Sequence, residues 1–150
     1  MTTAASIERR TYIKADPRGV WATLHDPAAQ DVLYPELDLG PAATSWPAAG
    51  ATRPARLRLG LLRTSVRLES LEARPATRFR TILGGDGIRL ERSWIIEPGA
   101  GGGTRIVARA DLRTVGRSVA VLVRFGRGSA ATMIETHLRI LKEMAEGGAG

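Results

Sequence analysis

The chain contains no cysteine, which excludes a disulfide framework and thiolate catalysis and agrees with a reducing compartment. Histidine is almost as scarce: His25 and His137 stand far apart without ligand-spaced companions, so no metal cluster is expected. Residues 1–10 lack the apolar core of a signal peptide. The longest wholly apolar run, Val119–Val123, is far too short to span a bilayer. Neither a Gly-x-Ser-x-Gly elbow nor a phosphate loop is present. The glycine-rich stretches 84–87 and 99–103 fall between strand patterns and read as hairpin turns. These absences leave a cytoplasmic protein with no metal and no cofactor as the expectation. They do not distinguish monomer from homodimer.

Lysine is nearly missing too. Of 22 basic residues only Lys14 and Lys142 are lysines, and against 15 acidic residues the formal charge is +7. A basic chain raises the possibility of a nucleic-acid partner. The arginines, however, are spread over almost every segment, whereas an electrostatic footprint is normally clustered beside a reading element. Nucleic acid is therefore not the expected partner. At 150 residues the chain is a single domain, 1–150, with a core over about 5–146 that needs no metal or disulfide to hold it.

What is present is a change of period along the chain. Ser6–Lys14 alternates as a first strand. Asp16-Pro17 and Asp26-Pro27 each supply an N-cap followed by proline, predicting two short helices, the second running to about Leu33. From Glu36 to Leu112 the period is two, with turn residues at hairpin intervals. A strand is expected over Leu37–Trp46, followed by strands carrying Ala55, Leu57 and Leu59, then Val66 and Leu68. Phe79, Thr81 and Leu83, then Ile88, Leu90, Trp94 and Ile96, and finally Ile106 to Leu112 complete the series. One face of this sheet is apolar, and the other is studded with arginine, the pattern of an antiparallel sheet with one wet face.

The last third is helical. Ala130, Met133, Ile134, Leu138, Ile140, Leu141 and Met144 fall on one face, and Glu135, Arg139, Lys142, Glu143 and Glu146 on the other, before a stop at Gly147-Gly148. Glu135–Arg139 and Arg139–Glu143 are available as i,i+4 pairs. Gly126 and Gly128 leave open whether this is one long helix or a helix broken near Arg124–Ser129. The expected fold is α+β: a curved antiparallel sheet of about seven strands wrapped around a long C-terminal helix, with two short helices after the first strand.

Several segments carry a resemblance. They are Ala15-Asp16-Pro17 with Val20-Trp21-Ala22-Thr23-Leu24 and Asp26, then Tyr34-Pro35-Glu36-Leu37, Trp94-Ile95-Ile96-Glu97-Pro98, Gly102-Gly103-Thr104-Arg105 and the last-helix segment Leu138–Glu146. With their order, the chain resembles the START-like, birch-pollen-allergen-like helix-grip proteins, and within the SRPBCC superfamily the polyketide cyclase/dehydrase branch. The resemblance covers essentially the whole chain. It implies a hollow between sheet and long helix that receives a small hydrophobic or aromatic molecule. It does not imply a reaction, because one fold hosts many tasks.

Four residues interrupt surfaces expected to be buried. His137 lies in the apolar face of the last helix, either as a satisfied core histidine or as a cavity group able to exchange a proton with a ligand. Arg92 falls in the apolar phase between Leu90 and Trp94, where it needs a carboxylate, solvent, an anionic ligand, or a bulge that turns it outward. Trp94 would line the hollow, and Tyr34 would stand at its mouth. The candidate catalytic residues are Arg92, His137 and Tyr34. The candidate ligand-binding set adds Leu57, Leu68, Phe79, Trp94, Met133 and Leu141. Aromatase-type relatives are expected to carry a pocket arginine on the strand equivalent to Val66–Glu72. Here Arg67 lies in the charged phase, with Leu71 or a neighbour in the matching place, while Trp94 does match.

The functional expectation is a binder of a polyketide- or lipid-like molecule. One alternative is a polyketide aromatase/cyclase-type enzyme, in which a cationic group stabilises a developing enolate. Another is a partner-binding regulator using the arginine-rich outer face. Interleaved Glu69, Glu91 and Asp111 would argue for cross-strand pairing there, and one unpaired patch would argue for an anionic partner.

Overall fold

The computed structural model describes residues 2–59, 62–85, 87–115 and 119–147, with side chains for 6–58, 63–85, 87, 89–113 and 131–147. The expected turn at Gly60, Asp86 of the 84–87 turn and the stop at Gly148 lie outside the described residues, as do the side chains of Leu59, Ile88, Val119–Val123 and Ala130. The order is β1 (Thr2–Ile13), α1 (Pro17–His25), α2 (Pro27–Leu33), β2 (Leu37–Leu39), β3 (Thr52–Leu59), β4 (Leu62–Arg74), β5 (Arg78–Gly85), β6 (Ile88–Pro98), β7 (Thr104–Val115) and α3 (Val119–Gly147). The strands form one antiparallel sheet in the order β1-β7-β6-β5-β4-β3-β2. From β2 to β7 it is a meander, as the period-two reading anticipated. No helix among the described residues is long and apolar enough to cross a membrane.

The caps form as the sequence suggested. The Asp16 carboxylate accepts from the Gly19 amide at 2.7 Å and the Asp26 carboxylate from the Ala29 amide at 3.2 Å, with Pro17 and Pro27 in the first helical turn. The expected strand over Leu37–Trp46 is cut to three residues. Gly40-Pro41 follows it, and Pro41 has no N–H to extend a ladder. Residues 44–50 instead make successive turns, with Trp46 donating through its backbone to Ala43 and Ala48 to Ser45. A bulge on β4 between Ser70 and Glu72 shifts the register there.

Alternation places the core on the concave face. Phe79, Thr81 and Leu83 of β5, Leu90, Arg92, Trp94 and Ile96 of β6, and Ile106, Ala108 and Ala110 of β7 all point inward and are buried. α3 closes this face, packing on β1, β7 and α1. It is continuous across Arg124–Ser129, and Ile134, His137, Leu138, Leu141 and Ala145 form its buried stripe. Burying Ile134, Leu138 and Leu141 contributes roughly 1.5–3 kcal/mol apiece. On the helix's outer side Arg139 pairs with Glu143 at 3.4 Å and Lys142 with Glu146 at 2.8 Å, but Glu135 turns away from Arg139 to meet Arg9 of β1 at 3.2 Å.

The convex face divides into two zones. In one, Glu72 lies 3.5–3.9 Å from Arg74, Arg78 and Arg80, Arg80 also meets Glu91, and Arg109 meets Asp111 at 3.2 Å. In the other, Arg56, Arg67 and Arg89 make no carboxylate contact among the described residues. Register sets Arg67 beside Gly84, Gly84 beside Arg89, and Arg89 beside Arg113.

Candidate functional site

Arg92 points into the core from the middle of β6. Its cross-strand neighbours are small, Thr81 on β5 and Ala110 on β7, which leaves room for a guanidinium. Arg92 is 4% exposed, and no bulge turns it outward. His137, fully buried on α3, meets it with Nδ1 2.6 Å from Arg92 Nη1. A guanidinium can only donate, so His137 Nδ1 accepts and the ring proton resides on Nε2. That Nε2–H lies 2.9 Å from both oxygens of Glu36, in the turn joining α2 to β2. The result is a chain from a largely buried carboxylate through a neutral imidazole to a buried cation.

Electrostatics agree with that tautomer. Burial, then the Arg92 charge, hold the His137 pKa below its ordinary value, opposed by the hydrogen bond and charge of Glu36. Burial also lowers the Arg92 pKa, opposed by Tyr34 and Glu36. A guanidinium nonetheless keeps its proton at physiological pH.

Two aromatic rings frame the cation. Arg92 Cζ lies 4.9 Å from the Trp94 ring centroid and 6.0 Å from that of Tyr34, both within cation–π range. The Tyr34 ring meets the His137 imidazole edge-on at 5.0 Å. Tyr34, at the C-terminus of α2, is 3% exposed and thus an interior residue, not the surface hydroxyl that a cavity-mouth position would allow. Its pKa is raised, chiefly by burial and against the Arg92 charge and the nearby Trp94 indole.

Four buried polar atoms here have no hydrogen-bond partner among the described residues: Arg92 Nε, Arg92 Nη2, Tyr34 Oη and Trp94 Nε1. Unpaired buried polar groups cost about 1–3 kcal/mol each, so four together are unusual for a closed core.

The remaining candidates occupy the same interior. Leu57, Leu68, Phe79 and Leu141 are buried in the continuous core, and Met133 is half-buried against it. Phe79 pairs across the strands with Trp94 and meets Trp21 and Trp46 edge-on at 5.7 and 6.1 Å. Arg67 is exposed on the convex face, as its phase predicted, and Leu71 is half-buried at the bulge. Sequence reasoning missed two residues. Glu36 lies in the turn over 34–37, closed by the Leu37 amide donating to the Tyr34 carbonyl at 3.0 Å, where neither strand nor helix period gives a signal. Arg53 shares the inward phase of Ala55 and Leu57, and is 3% exposed. It donates to the Gly40 and Pro27 carbonyls, Gln30 Oε1 and Asp31 Oδ1 at 2.8–3.3 Å.

Two clefts lie away from this cluster. One of about 690 Å³ is bounded by Tyr12, Lys14, Asp16, Gly103 and Met144, and one of about 740 Å³ crosses the convex face between Ser65, Arg67, Gly84 and Arg89. No group of three or more metal-capable side chains occurs among the described residues.

Residues 4–146 match the family described as polyketide cyclase / dehydrase and lipid transport. The chain belongs to that family. No curated protein sequence matches it. Among solved structures, the di-domain ARO/CYC StfQ from the steffimycin biosynthetic pathway superposes with a TM-score of 0.78 at 13% identity, covering 98% of this chain and 52% of that one. A protein from Thermus thermophilus superposes with a TM-score of 0.77 at 19% identity, covering 97% and 100%. Norcoclaurine synthase of Thalictrum flavum, solved with a transition-state analogue, gives 0.73 at 10% identity over 100% and 99%. Likeness at such identities shows the helix-grip fold of this family member. It does not transfer a substrate.

Proposed function

We propose that the protein binds a small hydrophobic or aromatic molecule, polyketide- or lipid-like, between the sheet and α3, with Arg92 and Tyr34 fixing its polar end. The observation that carries this reading is the buried guanidinium whose Nε and Nη2 lack partners beside the equally unpartnered Tyr34 hydroxyl. A core without a ligand role would place a hydrophobe at position 92, since an unpaired buried cation costs stability and contributes nothing to packing. Apolar walls with a few convergent polar groups are what a small-molecule site requires. The donors are covered in this structure, so a ligand reaches them only after a neighbouring side chain moves, and binding includes an opening step.

The test is native mass spectrometry of freshly purified protein, followed by denaturation and analysis of what is released. A defined small apolar molecule is the expected result. A clean apo mass, combined with no binding from a panel of aromatic and acyl ligands, would end the proposal.

The family and the StfQ likeness support a second reading, a cyclase-type enzyme acting on a bound poly-keto intermediate. A fixed cation facing a carbonyl stabilises the enolate that forms there. Both ring nitrogens of His137 are engaged, so the imidazole positions Arg92, and Tyr34 Oη is the free group able to pass a proton. Turnover of the released molecule, seen as a mass change on incubation, would favour this reading over simple binding.

A further inference from the structure

The edge of Arg92 that is left open says what the polar end of the ligand looks like, an inference that rests on the binding reading above. Nη1 is committed to His137 at 2.6 Å, and the two nitrogens without partners are Nε and Nη2. Those two share one edge of the planar guanidinium, with their N–H bonds parallel and spaced to meet two oxygens side by side. Arg92 Cζ lies over the Trp94 ring, 4.9 Å from its centroid. No carboxylate lies within ion-pair distance of Arg92 among the described residues. The nearest acidic group in the cluster, Glu36, is separated from it by the neutral His137. The buried cation therefore lacks a direct counter-charge as well as two acceptors.

From this geometry we infer that the ligand carries a planar, anionic two-oxygen group, a carboxylate or the enolate of a 1,3-dicarbonyl, gripped side-on by Nε and Nη2 of Arg92. A neutral ketone offers a single oxygen, which meets the two parallel N–H groups only at bent angles and brings no charge. A two-oxygen anion satisfies both and supplies the missing charge. The Trp94 indole N–H faces the Tyr34 hydroxyl, which is left to donate to a further oxygen, and the body of the ligand displaces side chains beside Trp94 and Phe79, both fully buried here.

The experiment titrates the full chain near neutral pH with three probes on one aromatic body: 2-naphthoate, 2-acetonaphthone and 1-(2-naphthyl)butane-1,3-dione. The dione is also followed by the absorption of its enolate, which separates the two sources of the anion. Charged hydrogen bonds of this kind correspond to a preference of about 10- to 100-fold for naphthoate over the ketone. Arg92→Met should abolish that preference. Arg92→Lys, which keeps the charge but not the fork, should retain only a small part of it. A rise in the bound enolate fraction would extend the class to 1,3-dicarbonyls, and its absence would restrict it to carboxylates. Equal affinity for naphthoate and ketone in the unmodified protein would overturn the inference while leaving the pocket intact. Full preference retained in Arg92→Lys would likewise overturn it, because a point charge would then suffice. Failure of every probe, and of the larger anthracene-2-carboxylate, would remove the pocket reading itself.

Discussion

Two arginines enter the same core from the same face of the same sheet, and they end in opposite states. Arg53 on β3 has every guanidinium nitrogen engaged, by two backbone carbonyls, an amide oxygen and a carboxylate 3.2 Å away. Arg92 on β6 has one nitrogen engaged, through an uncharged ring, and two with no partner. Burial is almost identical, 3% against 4%. Burial thus does not separate the two arginines. Satisfaction does. Arg53 clamps α2 to β3 and the turn after β2, whereas the core around Arg92 keeps a charge it does not neutralise.

The strongest way to break this contrast is to remove Arg53. Arg53→Met leaves Gln30 Oε1 and the Gly40 and Pro27 carbonyls without their donor, and a loss of about 1–3 kcal/mol is expected for each acceptor that stays buried, the exposed Asp31 adding little. Urea unfolding followed by circular dichroism measures it, and a loss under about 1 kcal/mol would show that water or neighbours replace the clamp. Next in size is His137→Leu, which strips Arg92 of its remaining partner at an expected cost of about 1–3 kcal/mol. Combining it with Arg92→Met should cost less than the sum of the single changes by about 0.5–3 kcal/mol, since apolar groups then replace both partners. Strict additivity would mean that the 2.6 Å contact carries no energy. Smaller still are Arg92→Met and Tyr34→Phe alone. Tyr34→Phe removes an unpartnered hydroxyl, whereas Arg92→Met removes two unpartnered donors but leaves His137 Nδ1 without its own, so the opposing terms are expected to keep each change within about 1 kcal/mol. Thermal melts that fall far below this range would reveal a partner for Nε, Nη2 or the hydroxyl.

Much of this was readable in the chain. Period-two alternation placed Arg92 and Trp94 on the inner face because strand side chains must alternate, and three-four spacing put His137 on the buried side of α3. That the two meet is a matter of how β6 and α3 cross, which no local pattern encodes. Glu36 escaped notice because it lies in the turn over 34–37, where neither period applies. Arg53 escaped because Pro54 follows it, and a basic residue in an arginine-rich hairpin reads as one more wet-face cation. The strand expected over Leu37–Trp46 failed because alternation continues through residues that Gly40-Pro41 takes out of the ladder. The convex face answered with both of the outcomes weighed for it. Glu72, Glu91 and Asp111 pair one half, while Glu69 leaves Arg67 and Arg89 uncovered in the other.

The smallest effect tests the tautomer on which the contrast depends. Among the described residues three groups face His137: Arg92 from β6, Tyr34 from the end of α2, and Glu36 in the turn beyond it. Burial and Arg92 depress its pKa in the fold, while the unfolded chain keeps the ordinary value of about 6.5. Between the depressed value and about 6.5 the unfolded state binds more protons, so stability falls as pH drops through that window, with a slope approaching about 1.4 kcal/mol per pH unit. His137→Leu removes the group and should flatten this part of the profile relative to the parent, the carboxylates cancelling in the difference. Glu36→Gln keeps an acceptor for Nε2–H but deletes the charge that supports the imidazolium, so its acid limb should extend to lower pH. Arg53, whose partners are carbonyls, an amide and an aspartate, should give no such signature when replaced. Denaturant midpoints at about pH 7.5, 6.5 and 5.5, which bracket the ordinary histidine value, decide the matter. Parallel profiles for the parent and His137→Leu would mean that the imidazole is not held neutral, and Arg92 would then be no more poised than Arg53.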